Sequence, residues 1–250
     1  MHAAIAEQTK QHSSDEAIYK SLQENLSSIK PMLADFTYAL PALAKQKEVI
    51  SNQTTQLLGT KKDFTGYLEV GSNGRYLDAL EDSLNLEGDV YFLSELQSTY
   101  SPVDMIDRGQ ICKSGKDIAL NNYKSDLLKH IKPGSIDLAT VYIGFHHCPL
   151  SLREEFITSI RDSLSSNGVL ILRDHNAHNK KMWHMVALAH DVFNMGTKET
   201  WGYNKAEMRH FYSLAQLNEM MLKYGFKSDG KKLYQDGDPT MNALMRYVKA

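Results

Sequence analysis

A strand–turn–helix–strand pattern between Gly66 and Glu95 constrains the fold of this chain more than any other stretch. An apolar run over 67–70 breaks at the glycine-rich turn 71–74, and a helical pattern then leads into a second apolar run over 90–93. This order predicts one βαβ unit with parallel strands. Glycines in the first turn let the backbone approach a ligand closely, and an acid at the tip of the second strand can accept hydrogen bonds from ribose hydroxyls. The pattern therefore favours a nucleoside-containing ligand.

The residues after Gly74 do not match the dinucleotide fingerprint. That fingerprint, G-x-G-x-x-G, needs a third glycine so that helix and strand pack closely, whereas Arg75, Tyr76 and Leu77 follow Gly74 here. A glycine-rich turn is also a weak signal by itself, because many strand–helix turns carry glycines. A nicotinamide cofactor is thus disfavoured, and a purely structural turn stays open as an alternative.

The same turn resembles the first motif of class I S-adenosylmethionine-dependent methyltransferases, in which an acid precedes a glycine cluster. The matching residues are Glu69, Val70, Gly71, Ser72, Asn73 and Gly74. Relative to the family pattern E/D-x-G-x-G-x-G, Asn73 stands where the second glycine falls, and Gly74 matches the later glycine with a one-residue deletion. The resemblance implies a Rossmann-like fold and S-adenosylmethionine as cofactor.

A second resemblance lies in the segment IDLATVYIGFHHCP. It is similar to the fourth-strand motif of a small-molecule, type 11-like branch of the same family, where an acid opens the strand and a His-His pair closes it. Asp137, His146 and His147 occupy those places. This branch acts on small molecules, so the resemblance implies a small-molecule acceptor.

Alternating strand and helix signals indicate an α/β fold. The resemblance covers roughly residues 60–250 and implies a seven-stranded methyltransferase sheet with helices on both faces. Two strand-like segments near the C-terminus, 231–235 and 244–248, are joined by a short turn and can pair only antiparallel. This agrees with the implied sheet, which is mostly parallel and has an antiparallel C-terminal hairpin.

The chain is predicted to comprise an N-terminal helical extension over 1–60 and a methyltransferase domain over 61–250, with a helical lid insertion at about 177–211. Apolar spacing indicates one helix in the extension that Pro31 stops, and Pro41 favours the start of a second. In the family such helices often cover the cofactor or shape the acceptor pocket. Plain packing or a dimer surface is the alternative, so a homodimer is possible.

Two later helices have capping boxes in the sequence. Ser151 with Glu154 and Ser213 with Gln216 each place a hydroxyl three residues before a side chain that can return the hydrogen bond. Each pair predicts the start of a helix.

The resemblance also implies which residues hold the cofactor. The turn residues would lie against its methionine part, and the preceding acid would reach the amino group through water; these are Gly71, Ser72, Asn73, Gly74 and Glu69. Glu95 would bind the ribose. Asp126, which follows the predicted third strand, would hydrogen-bond the adenine amino group, with a turn or cap role as the alternative.

A dense polar group, 173–176, follows the predicted fifth strand, at the sheet edge where open α/β sheets bind ligands. His175 there, and His146 after the fourth strand, are predicted proton acceptors, because a neutral imidazole can receive a proton near neutral pH. Asp174 or Asp137 could orient a ring. Asp174 is favoured for His146, because neighbours on a strand point to opposite sides. Histidines that only bind loop backbone are the alternative.

The lid insertion carries methionine and aromatic residues, and most of the ten histidines fall between His146 and His190. The resemblance assigns an insertion at this place to an acceptor lid, so His147, Trp201 and Tyr203 are predicted substrate-binding residues. Core packing of the lid is the alternative. No metal site is predicted, because adjacent histidines on an extended backbone point to opposite sides and one ion seldom binds both.

Composition excludes several classes of protein. The net charge of -2 and the lack of a basic stripe give no reason to expect a nucleic-acid partner. The two cysteines form no C-x-x-C, no signal-peptide pattern opens the chain, and no run of about 18 apolar residues occurs. We therefore expect a cytoplasmic protein with no membrane partner.

These observations lead to one main hypothesis, S-adenosylmethionine-dependent methyl transfer to an unidentified small-molecule acceptor. Two alternatives remain. A non-catalytic binding module could keep the fold after losing the cofactor, which the imperfect glycine motif would permit. A nicotinamide-dependent reductase is the less favoured alternative, because the third glycine of the dinucleotide fingerprint is missing.

Overall fold

The computed structural model describes residues 2–26, 40–95, 99, 101, 105, 108–109, 115–124 and 126–250. Three features of the sequence lie outside these residues: the predicted helix stop at Pro31, Cys112, and most of the segment between Glu95 and the predicted third strand.

The described residues form one sheet of seven strands in the order β3-β2-β1-β4-β5-β7-β6. The strands are β1 (Asp63–Val70), β2 (Asn85–Ser94), β3 (Lys116–Ala119), β4 (Ile136–Val141), β5 (Leu164–His175), β6 (Phe226–Tyr234) and β7 (Asn242–Lys249). Strands β1 to β5 pair in parallel, whereas β7 runs antiparallel to both β5 and β6. The predicted mostly parallel sheet with a C-terminal antiparallel hairpin is confirmed.

The strand order reverses between β1 and β4. The chain builds outward from β1 through β2 to β3 and then returns to the other side of β1, where Glu69 lies opposite Thr140 on β4. In open parallel sheets such a reversal leaves a crevice at the carboxyl ends of the two strands, because their connections leave in opposite directions. This crevice is the expected ligand position.

Helices cover the sheet. Those in the described part of the chain are α1 (His2–Gln11), α2 (Asp15–Glu24), α3 (Leu40–Leu58), α4 (Leu77–Glu81), α5 (Leu127–His130), α6 (Arg153–Ser163), α7 (Lys180–Gly196), α8 (Trp201–Ala206) and α9 (Leu214–Lys223). None of these described helices is long and apolar enough to cross a bilayer.

One of the two predicted capping boxes forms. Ser213 and Gln216 exchange both hydrogen bonds at the start of α9. The box predicted for Ser151 is wrong: residues 149–152 form a turn in which the Leu152 N–H donates to the Pro149 carbonyl at 3.0 Å, and α6 begins only after that turn.

Apolar side chains pack on both faces of the sheet. Leu68 and Leu170 face the cluster that includes Phe156 of α6 and Leu217 of α9. The other face of the sheet packs against helices α3 and α4 in a second cluster. Burial on both faces explains why the central strands read as continuous apolar runs, and each fully buried Leu or Ile contributes roughly 1.5–3 kcal/mol.

The helices of the predicted N-terminal extension contact two different parts of the molecule. Helix α3 belongs to the core, since Ile50 is fully buried and the Thr54 hydroxyl lies 2.7 Å from the Tyr142 hydroxyl. Helix α2 instead packs on the predicted insertion, where the Tyr19 hydroxyl donates to the Glu199 carbonyl at 2.9 Å. The predicted insertion contains α7 and α8, the two helices between β5 and α9.

Candidate active site

The carboxylate of Glu69 organises the turn after β1. The side chain is fully buried; Oε1 accepts hydrogen bonds from the Ser72 hydroxyl at 2.5 Å and the Gly74 N–H at 3.1 Å. Oε2 accepts from the Tyr67 hydroxyl at 3.1 Å and the Tyr76 N–H at 3.3 Å. Burial raises the pKa of Glu69, and the hydrogen bonds from Ser72 and Tyr67 oppose that shift. Glu69 therefore shapes the turn rather than offering its carboxylate to solvent, as the expected water-mediated contact would require.

Two glycines in this turn cannot carry a side chain. Gly71 has φ +85°, and a Cβ there would lie 2.1 Å from the Ile143 carbonyl oxygen. Gly74 has φ +89°, and its Cβ would lie 2.7 Å from the Phe92 ring. Both positions combine a left-handed backbone with close contact, so any residue other than glycine would be strained there. The turn is thus held tightly between the segment after β4 and strand β2.

Glu95 lies exposed at the tip of β2, where the chain leaves the sheet. Its Oε1 accepts the backbone N–H of Asn122 at 2.6 Å. Asn121 and Asn122 follow β3 and have φ of 51° and 52°, a left-handed conformation that asparagine tolerates. An Asn-Asn pair after a strand is a turn signal. Sequence reasoning passed over Asn122, although this signal was present.

Asp126 lies further along, at the N-cap of α5. Its side chain makes no capping hydrogen bond and forms an exposed ion pair with Lys129. The structure therefore places Asp126 after β3 as expected, and it brings Asn122 rather than Asp126 into contact with Glu95.

The rings of His146 and His147 were expected to point to opposite sides, but they do not. Strand β4 ends at Val141, and Gly144 at φ +88° turns the chain into a 3-10 helix over Phe145–His147. The two rings therefore lie on neighbouring faces with their centroids 4.3 Å apart. The argument that adjacent histidines point to opposite sides is wrong here, because the backbone is not extended.

Asp174 orients His146, as expected from the strand pattern. Its Oδ1 lies 2.8 Å from His146 Nδ1, and the two side chains are buried, with relative exposures of 4% and 8% for the residues. The other candidate, Asp137, is wrong for this role. Asp137 lies at the amino end of β4, at the opposite edge of the sheet, where it accepts hydrogen bonds from the Thr65 N–H and the Ser165 hydroxyl.

Helix α7 adds a histidine that sequence reasoning did not single out. His190 Nε2 lies 2.9 Å from His146 Nε2, and His190 Nδ1 lies 2.9 Å from the Val186 carbonyl. The His175 ring centroid is 5.2 Å from that of His146 and 5.4 Å from that of His190. We call His146, His147, His175 and His190 the histidine cluster.

Burial keeps most of the histidine cluster neutral. It lowers the pKa of His190 to about 3 and that of His175 to about 4, and a positive charge on His146 would add to both shifts. The pKa of His147 is lowered for the same two reasons. Burial alone would raise the pKa of Asp174, but the neighbouring His146 holds that pKa below its ordinary value. The cluster thus places one carboxylate beside imidazoles of which three, those of His147, His175 and His190, are weakly basic.

Phe211 forms the apolar wall of the histidine cluster. Its ring centroid lies 5.4 Å from that of His146 and 5.0 Å from that of His190. Trp183 of α7 packs on the same ring at 5.7 Å. The polar histidine cluster therefore lies directly against an aromatic surface.

The three predicted substrate-binding residues do not lie together in the structure. His147 joins the cluster, and its Nδ1 lies 2.8 Å from the Met208 carbonyl. Trp201 does not join it: its ring packs on Tyr19 of α2 at 5.4 Å, which assigns it a packing role. Tyr203, on the same helix as Trp201, is 52% exposed.

A partly buried polar network fixes the segment that carries Met208. The guanidinium of Arg209 donates to Asp191 of α7 at 2.7 Å, to Glu207 at 2.7 Å and to Asn204 of α8 at 2.7 Å. Because Arg209 bonds to both helices of the insertion, the Met208 carbonyl is held in place beside His147.

No protein-family model matches this chain, and no curated protein sequence matches it. Solved structures do match. A chain of the Haloferax volcanii complex between the Trm112 methyltransferase activator and a methyltransferase superposes with a TM-score of 0.56 at 11% identity, over 86% of this chain and 96% of that chain.

Two further structures match over nearly the full length of both chains. The Burkholderia thailandensis 1,6-didemethyltoxoflavin-N1-methyltransferase, solved with 1,6-didemethyltoxoflavin and S-adenosylhomocysteine, gives a TM-score of 0.53 at 10% identity, covering 96% of this chain and 92% of that chain. A SAM-dependent methyltransferase from Aquifex aeolicus gives 0.52 at 13% identity, covering 95% of this chain and 100% of that chain. At these identities the likeness shows the class I methyltransferase fold.

Proposed function

We propose that this protein transfers a methyl group from S-adenosylmethionine to a small-molecule acceptor. The observation that carries the proposal is the turn after β1, which a buried carboxylate, Glu69, and two obligatory glycines hold at the reversal of strand order. The exposed Glu95 ends the neighbouring strand. In sheets of this kind a nucleoside ligand binds across these two strand ends.

The residues present fit the cofactor. An exposed carboxylate such as that of Glu95 can accept hydrogen bonds from both ribose hydroxyls, and its contact with Asn122 fixes its direction. The turn over Gly71–Gly74 would lie against the methionine part. Asp126 stays the proposed adenine partner, and Asn122 is a second polar group on the same side of the site.

When bound, S-adenosylmethionine supplies a methyl group that is already electrophilic. The chain's own residues must therefore align the acceptor atom with that group and exclude water, and both tasks are served by burial and fixed geometry. Phe211 and Trp183 provide an apolar wall at the acceptor end, and we propose His147 and Tyr203 as further acceptor contacts.

A hydroxyl or ring N–H acceptor loses a proton when it is methylated. His175 and His146 are the proposed proton acceptors, and their geometry separates them. His175 Nδ1 is buried and has no hydrogen-bond partner among the described residues, whereas both nitrogens of His146 are engaged, by Asp174 and by His190. We therefore propose His175 as the proton acceptor; because burial lowers its pKa to about 4, it would release the proton again at neutral pH rather than hold it. We also propose that Asp174 positions His146 beside it.

Binding of S-adenosylhomocysteine tests the proposal directly. Isothermal titration should give micromolar affinity at one site per chain, and radiolabelled methyl from S-adenosylmethionine should pass to the low-molecular-weight fraction of a cell extract. Folded protein that binds no S-adenosylhomocysteine contradicts the proposal. Binding without transfer favours the non-catalytic module, and quenching or enhancement of NADH fluorescence would instead favour the reductase.

The proposed location and assembly rest on two other features. The cytoplasm fits Cys148, which is a free and buried thiol. A homodimer fits the large apolar side chains that are exposed on α7 and α9, with Phe193 at 67% and Leu222 at 61%. Light scattering behind a sizing column measures the assembly.

A further inference from the structure

We propose that His146, His147 and His190 bind a divalent transition-metal ion of the zinc class through their Nε2 atoms. One ring nitrogen from each of these residues lies within 4.8 Å of the others. The ring centroids are 4.3, 4.9 and 5.6 Å apart, so the three imidazoles from two chain segments, the turn after β4 and helix α7, lie close enough to share one ion.

The hydrogen bonds of the three rings fix which nitrogen is free. His147 Nδ1 lies 2.8 Å from the Met208 carbonyl and His190 Nδ1 lies 2.9 Å from the Val186 carbonyl. A carbonyl oxygen only accepts, so both Nδ1 atoms carry the hydrogen, and in a neutral imidazole the other nitrogen is then a bare lone pair. His146 Nδ1 donates to the Asp174 carboxylate in the same way. Each ring thus presents Nε2 as a ligand.

The contact between His146 and His190 needs a positive centre. Their Nε2 atoms are 2.9 Å apart, and both are lone pairs when the rings are neutral. Two lone pairs at this distance repel, so a proton or a metal ion must lie between or beside them. A shared proton would satisfy only the His146–His190 pair, whereas His147, the third ring of the group, lies beside both of them. A bound cation satisfies all three rings at once.

The ligand set selects the class of metal. Three imidazoles suit zinc and other first-row divalent ions, whereas magnesium and calcium require oxygen ligands. At a metal–nitrogen distance of about 2.0–2.1 Å, the separation of the two Nε2 atoms corresponds to a nitrogen–metal–nitrogen angle of roughly 90°. A small movement of either ring would open this angle to the tetrahedral value that zinc prefers. Three protein ligands leave one coordination position open, as in catalytic zinc sites.

The surroundings match what metal-binding histidines need. A ligating imidazole usually gives its second N–H to a carboxylate or a backbone carbonyl, which fixes the tautomer and the ring direction. Here Asp174, Met208 and Val186 supply one acceptor each. The alternative trio of His146, Asp174 and His175 is less suitable, because His146 Nδ1 is already committed to Asp174.

The open position would hold water or an acceptor atom. A metal ion would lower the pKa of a bound hydroxyl, which would ease transfer of the acceptor's proton to His175, the proposed proton acceptor. This use of the site rests on the proposed function, whereas metal binding itself does not.

Metal binding is tested on the full chain, purified and treated with a chelator that is then removed. Zinc titration followed by calorimetry should give one ion per chain, and cobalt should give the visible absorption of a nitrogen-ligated ion. His190→Gln should abolish both signals. Asp174→Asn should weaken zinc binding by roughly 10–100-fold, because it removes only the orienting partner of a ligand. His184→Gln, an exposed histidine on the same helix, is the matched control and should bind zinc like the parent protein.

Two results overturn the inference. The first is a folded parent protein that binds less than stoichiometric zinc and gives no cobalt absorption, which would assign the His146–His190 contact to a shared proton. The second is zinc binding that His190→Gln and His184→Gln weaken equally. Circular dichroism shows that each variant is folded. S-adenosylhomocysteine titration of the same preparations reports on the proposed function separately, so failure of one proposal is visible without failure of the other.

Discussion

The Ser72 hydroxyl donates to Oε1 of Glu69 over 2.5 Å, which commits the acid of β1 to the turn that follows it. The Gly74 N–H donates to the same oxygen, so Glu69 closes the turn from within. Glu69 therefore acts as an internal anchor of the turn. The groups that can face a ligand are those of the turn residues that Glu69 holds in position.

Replacing Glu69 by Gln tests this anchor. The amide nitrogen of Gln would face a donor, either at the Ser72 side or at the Tyr67 side, and one buried donor would lose its partner. We expect the free energy of unfolding to fall by about 1–3 kcal/mol and the affinity for S-adenosylhomocysteine to fall with it. Glu87→Gln on the exposed part of β2 is the control. Urea unfolding and calorimetry measure the two effects, and an unchanged turn would show as parent-like values in both.

Gly71→Ala tests the tight contact behind the turn. The added Cβ would meet the Ile143 carbonyl oxygen at 2.1 Å in a left-handed backbone, so both strain and collision oppose folding. Gly230→Ala is a matched control, since it has a similar φ of +81° but nothing within 4 Å. The control should lose about 1–2 kcal/mol from backbone strain, and Gly71→Ala should lose clearly more. Equal losses by denaturant unfolding would mean that the collision relaxes.

Glu95→Gln separates ligand binding from stability. The side chain is exposed and loses only its charge, so the melting temperature should stay close to that of the parent protein. A hydrogen bond to a charged group contributes about 1.5–3 kcal/mol, which predicts at least a roughly tenfold weaker affinity for S-adenosylhomocysteine.

Asp126→Asn provides the comparison for Glu95. If Asp126 binds the adenine amino group, the Asn variant keeps an accepting oxygen and should weaken binding less than Glu95→Gln does. Calorimetric titration ranks the two variants. If Asp126→Asn weakens binding more than Glu95→Gln does, the main polar contact to the nucleoside is made by the segment after β3 and not by the end of β2.

His175→Gln tests the proposed proton acceptor. The change keeps polarity but removes a base, and turnover at saturating cofactor should fall by about 10²-fold or more, the usual contribution of a general base. His178→Gln, which is exposed three residues further on, should leave turnover unchanged. Affinity for S-adenosylhomocysteine should remain at the parent value in both variants. If turnover of His175→Gln stays within tenfold of the parent value, catalysis depends on positioning of the acceptor and the cofactor and not on this base.

Asp137→Asn tests the structural role that the fold assigns to this acid. Burial would raise the pKa of Asp137, but hydrogen bonds from Ser165 and from the Thr65 N–H outweigh burial and lower it. A lowered pKa means that the folded state prefers the ionised form, so this stabilisation is present above a pH of about 4 and is lost as the pH falls through the folded value.

The Asn variant should accordingly lose about 1 kcal/mol at neutral pH, and its stability should depend less on pH below about 4. Denaturant unfolding over a pH series measures both effects. A loss of methyl transfer without a loss of stability would contradict the structural role.

The sheet could be predicted because its signals are local. Apolar runs, turn residues and the short connection between β6 and β7 each act over a few positions, and they predict the parallel β1–β2 pair and the antiparallel β6–β7 pair. The complete seven-stranded sheet was implied by the family resemblance. The glycines at Gly71 and Gly74 were found for the same reason, since a left-handed backbone leaves a mark in the sequence.

The histidine cluster could be predicted only in part. The sequence places His146 and Asp174 after neighbouring strands, which suffices to bring them together. It does not show that β4 ends early and that Gly144 starts a 3-10 turn, and the two adjacent rings converge for that reason. His190 was missed because its contact with His146 depends on how α7 folds back over the sheet edge, a tertiary arrangement without a local signal.

Helix α2 reaches its partner only late in synthesis. Tyr19 donates to the Glu199 carbonyl, 180 residues further along the chain, and packs on Trp201. Before the ribosome has delivered α7 and α8, only α1 among the described elements is available to cover the apolar face of α2, and closing so long a loop makes the contact with α8 slow to form. Helix α2 is thus among the last elements to dock, and its apolar face stays without its α8 partner while the whole sheet-forming segment up to β5 is synthesised.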